Sequence, residues 1–138
     1  MTSWSSQAVD LAQSYINICS IYSEMNKHEI GVHYAKQAVD ILDPEYERRY
    51  PSNMGSEADR LKFASIVATA FHNAAVEYEF TSDFSSSLIS YQKAVRVAKI
   101  HLGLNHRLTA TFEANFERAK ARIQENPQIV SQGKNKVK

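Results

Sequence analysis

The chain has 138 residues, 43% hydrophobic and 22% charged, with 4 glycines, 3 prolines and 1 cysteine. Those proportions suit one helical domain with a real core and argue against a β-sandwich or a disordered chain. Sixteen basic residues against 15 acidic ones leave a net charge of +1, which calls for neither nucleic acid nor an anionic membrane.

Apolar residues at helical spacing predict five helices. The first covers about residues 6–25, with Ala8, Leu11, Ala12, Tyr15, Ile18, Cys19 and Tyr22 on one broad face. "NKH" breaks it. The second covers about residues 29–42 and ends at Asp43-Pro44, because the residue before proline is pushed out of the helical region. Residues 43–56 read as a loop, although Asp43-Pro44-Glu45 could start a helical turn or two that stops before Pro51.

The third helix opens on the capping box Ser56-Glu-Ala-Asp59 and continues to about Phe80. A fourth runs from Asp83 to about Leu102, with Gly103 as its stop, and Asn105 caps a fifth that reaches about Glu125. Residues 126–138 carry Lys134, Lys136 and Lys138 without an acid and read as a disordered basic tail. No strand pattern occurs, so the expected fold class is all-α.

No apolar run approaches the ~20 residues that span a bilayer, and the N-terminus lacks a signal-peptide pattern. With Cys19 alone no internal disulfide can form, and no Asn-x-Ser/Thr sequon is present. These features favour a reducing, cytoplasmic compartment.

Self-comparison reveals a repeat. At an offset of 56 residues, Tyr15 falls on Phe71, Asn17 on Asn73, Cys19 on Ala75 and Tyr22 on Tyr78. The same offset places Val32 on Leu88, Ala38 on Ala94 and Val39 on Val95, so the repeating unit is a two-helix hairpin. "FHNAAVEYEFTSDFSSSLISYQKAV" resembles the tetratricopeptide repeat through Ala75, Tyr78, Phe84, Ser87, Tyr91 and Ala94. The first hairpin keeps the pattern less well, with His28 at a position where an aromatic is usual and Ala35 where a large residue is usual.

"LGLNHRLTATFEANFERA" is similar to the linker and following helix of kinesin light-chain-type repeats, carried by Leu102, Gly103, His106, Ala110 and Asn115, while Arg107 departs from the family's proline. The resemblance implies a short right-handed solenoid of two hairpins and a C-terminal capping helix. It also implies a concave groove lined by the first helix of each pair, and a cytoplasmic setting of a cytoskeletal or ciliary kind.

Asn17, Asn73 and, through the linker match, Asn115 are equivalent positions, each just before the residue pair that faces the hairpin partner. An asparagine amide offers a donor and an acceptor, so it can hold an extended peptide backbone without regard to side chains. Their neighbours complete the expected groove: Gln13, Ser20 and Glu24, then Thr69, His72, Val76 and Glu79, then Thr111, Arg118 and Arg122. Such a groove is acidic at one end and basic at the other. The other reading is that these asparagines tie helices together or face water.

Catalytic chemistry finds little support. "HEIGVH" places His28 and His33 five apart rather than four, so they do not share a helix face as a zinc motif requires. No glycine-rich loop exists to cradle a phosphate, and Cys19 has no neighbouring base in sequence. The expectation is therefore a non-enzymatic interaction module without cofactor or metal, binding a protein or peptide. A structural subunit working through helical faces or homo-oligomerisation, with an extra surface near Trp4 and Val9, is the alternative.

Overall fold

The structure, a computed structural model, describes residues 3–125, with side chains from residue 7 onward. The basic tail and the side chain of Trp4 lie outside the described residues. Five helices form: α1 (Ser3–Glu24), α2 (His28–Arg49), α3 (Glu57–Phe80), α4 (Phe84–His101) and α5 (Arg107–Gln124), with no strand among the described residues. Each packs against its neighbours in chain order, and α1 also touches α3.

The caps explain most of the boundaries. Ser56 accepts from the Asp59 amide at 3.2 Å while its own amide donates to the Asp59 carboxylate at 3.4 Å, completing the box that starts α3. At α4 the Asp83 carboxylate accepts from the Ser86 amide at 3.2 Å. His106, not Asn105, caps α5: its ring Nδ1 accepts from the Leu108 amide at 3.0 Å.

The repeat extends to the turns. Asn26 and Ser82, 56 residues apart, both adopt a positive φ (59° and 66°). The following amides, Lys27 and Asp83, donate back to the carbonyls of Tyr22 and Tyr78 at 2.9 and 2.8 Å. Two hairpins with matching sequence therefore close by the same hydrogen bond.

The main departure is α2. It does not stop at Leu42 but continues through Pro44 to Arg49, so the connecting loop shrinks to residues 50–56. An interior proline removes one helical hydrogen bond and costs about 3 kcal/mol. The extra turn offsets this by burying Glu45, Tyr46 and Arg49. The Tyr46 hydroxyl and Nε2 of His101 share a hydrogen bond at 2.8 Å, and the Arg49 guanidinium lies 4.2 Å over the Phe63 ring. The helix ends at Tyr50, extended before Pro51 as its position demands.

Alanines set the spacing of the core. Ala12, Ala38, Ala64, Ala68, Ala94 and Ala98 are fully buried, and Leu42, Val67, Phe63 and Phe71 fill the space between them. Side chains this small let helix backbones approach closely. Ala74 and Ala75 do not both close one hairpin. Ala74 packs with Cys19 and Ala35 of the first pair, while Ala75 packs with Tyr91 of α4 and Ala119 of α5.

Candidate functional site

Two hollows open along α3. The first, about 230 Å³, lies between α1 and α3, with Cys19, Ser20, Ser23 and Glu24 on one wall and Asn73, Val76 and Glu77 on the other. The second, about 630 Å³, is bounded by Val76, Glu79 and Phe80 of α3, by Phe84 and Tyr91 of α4, and by Asn115, Arg122 and Ile123 of α5. Val76 borders both, so they adjoin.

Of the expected groove residues, Ser20, Glu24, Asn73 and Val76 line the first hollow, and Val76, Glu79, Asn115 and Arg122 line the second. Gln13, Asn17, Thr69, His72, Thr111 and Arg118 line neither. Asn17 sits on the exposed face of α1, where Gln13 donates to it at 3.5 Å. Two of the three equivalent asparagines thus meet the hollows, and the third stands apart.

His72 turns inward. Its ring stacks on Phe112 at 4.5 Å and meets Tyr91 edge-on at 5.6 Å. Its Nε2 accepts from Nδ2 of Asn115 at 3.0 Å, which fixes the neutral tautomer with the proton on Nδ1. Burial pushes its pKa down, against a smaller opposing contribution from Asn73. Arg118 donates to Oδ1 of Asn115, so this amide is oriented from both ends.

At the second hollow's rim, the two Glu79 oxygens each accept from Arg122 at 2.8 Å. The Tyr91 hydroxyl also donates to Glu79 at 3.2 Å, and burial followed by the Glu79 charge pushes its pKa up to about 12. The basic end expected of the groove is therefore largely neutralised, because Arg122 is committed to a carboxylate.

The first hollow holds a residue that the sequence reading missed. Glu77 is 1% exposed, and its two oxygens accept from the Ser23 hydroxyl and from Nδ1 of His28, both at 3.1 Å. His28 in turn stacks on Phe80 at 3.8 Å. A Cβ at Gly31 would collide with the Glu77 carboxylate, which keeps its present position beside a residue with no side chain. Burial, then the Glu77 charge, pushes the Cys19 thiol up to about 12 and leaves it protonated and unreactive. The helical register of Glu77 with Ala70 and Ala74 was the available signal of its burial.

Among the described residues no group of three or more His, Cys, Asp or Glu is placed to hold a metal, and no helix is long and apolar enough to cross a membrane.

Neutral His72 makes stability pH-dependent. The unfolded chain protonates this ring near its ordinary pKa of about 6.5, while the folded chain resists until lower pH. Its contribution is complete above that value and is lost as pH falls through the folded pKa. His101 acts in the same direction, through burial and then the nearby Arg60 charge. Thermal unfolding should show a midpoint that drops between pH 7.5 and 5.5, with a shallower drop in His72→Phe; equal slopes would contradict the assignment. Comparison with protein-family models, curated proteins and solved structures finds no match to this chain.

Proposed function

We propose that the chain is a non-enzymatic interaction module of the tetratricopeptide type that holds an extended segment of a partner protein along α3. In this reading α1, α3 and α5 are the inner helices of a short right-handed solenoid, and α5 caps it. The observation that carries it is the placement of Asn73 and Asn115 in two adjoining hollows that meet at Val76. Each amide can exchange a donor and an acceptor with a peptide backbone, about 0.5–1.5 kcal/mol per bond.

Asn115 is preset for this by His72 and Arg118, which fix the amide plane before any ligand arrives. Phe80 offers apolar contact beside it and is 61% exposed. The test is selection of extended peptides from a displayed library on the full chain. Asn73→Ala should weaken the selected peptides about three- to tenfold with helicity unchanged, whereas unaltered affinity would remove Asn73 from the site.

One observation favours a second reading, a structural subunit acting through a helical face. Leu11, Ile21 and Met25 of α1 are each about half exposed, and with half-buried Ile18 they form one stripe. Val9 packs into the core and contributes nothing to it. A peptide module should sediment as a monomer; a dimer dissolved by Ile21→Lys would favour the subunit instead.

A further inference from the structure

We infer that the second hollow, between α3, α4 and α5, takes the chain's own Ile129-Val130 as an intrachain ligand. The inference goes beyond the groove reading and does not need it, since it concerns only what covers this hollow in the free chain.

Continuity of the chain comes first. Arg122 and Ile123, in the last turn of α5, line the hollow, and the described residues stop at Glu125, just beyond them. Residues 126–138 therefore begin at its rim. Ile129 and Val130 follow Glu125 closely in sequence. At about 3.3–3.6 Å per residue they have a reach of about 13–18 Å, enough to span the hollow. Its volume, about 630 Å³, suits a bound segment. A tethered segment also needs little affinity. Over so short a connection the effective concentration is of order millimolar, so a contact of about 1 mM strength fills the hollow about half of the time.

The lining selects the apolar pair over the lysines that follow it. Val76, Phe84, Ile123 and the exposed Phe80 give the hollow its apolar surface. Its charges are already spent, because Glu79 accepts from Arg122 through both oxygens and from the Tyr91 hydroxyl. A lysine would meet no uncommitted carboxylate among the lining residues, whereas isoleucine and valine would take apolar surface on both sides out of water. Within residues 126–138, Ile129-Val130 is the only adjacent apolar pair, and the first lysine, Lys134, stands beyond it. Asn115 bonds His72 through one amide hydrogen and Arg118 through its oxygen. Its second hydrogen and second lone pair are left for the segment's main chain.

The test is paramagnetic broadening in the full ¹⁵N-labelled chain, with a nitroxide attached through Gln132→Cys. Cys19 is buried and protonated, so the label goes to the new thiol alone. Amides of Phe80, Phe84 and Ile123 should broaden at least about threefold more than those of Leu11 and Ser14 on α1, and adding Ile129→Asp and Val130→Asp should remove the excess. Both substitutions lie beyond α5 and leave every described contact in place. Broadening spread evenly over the helices, or an excess that survives the two substitutions, overturns the inference. An excess lost in about 0.5 M salt marks lysine attraction and overturns it as well. So does broadening at the hollow when a labelled, unenriched chain is mixed with an unlabelled ¹⁵N chain, because the segment then comes from a second copy. No peptide enters these measurements, so they read the same whether the groove reading stands or fails.

Discussion

One buried carboxylate lies at the joint between the two helix pairs. Glu77 is 1% exposed, and desolvating a carboxylate costs several kcal/mol unless its lone pairs are met. Ser23 from α1 and His28 from the start of α2 meet them, and Gly31 of α2 makes the space. Three residues on two helices are therefore constrained by one group on a third. α1 and α3 touch only lightly, and the hollow between them is what remains once Glu77 is satisfied from one side.

Local signals were legible where the chemistry is local. The Ser56–Asp59 box, the Asp83 cap and the Gly103 stop, with its φ of 89°, all follow from residue type and spacing. The hairpin repeat was legible too, down to turns whose left-handed residues, Asn26 and Ser82, stand at the repeat offset. Pro44 misled for an equally physical reason. Its penalty is intrahelical, while the compensation comes from Phe63 on α3 and His101 on α4, residues that no local window contains.

The repeat itself concealed the polar joint. The equivalent of Glu77 is Ile21, which is 56% exposed although apolar, so the pattern suggested the reverse of each residue's burial. The two positions differ because α3 has the first hairpin against this face, and α1 has no described helix there. His72 shows the same limit. As a helical neighbour of Asn73 it belonged to the expected groove, yet Phe112 and Tyr91 hold it inside, where it orients Asn115. Sequence spacing assigns a residue to a helix face, and only the neighbouring helices decide whether that face is open.

In the reading we propose, asparagine amides on α3 and α5 grip the main chain of an extended ligand. A scan that replaces each backbone N–H of a selected peptide by N-methyl tests it most directly. Losses of about tenfold are expected at two sites only, one of which becomes insensitive to methylation in Asn73→Ala. Tolerance of N-methyl groups along the whole peptide, with affinity governed by side chains alone, would contradict it.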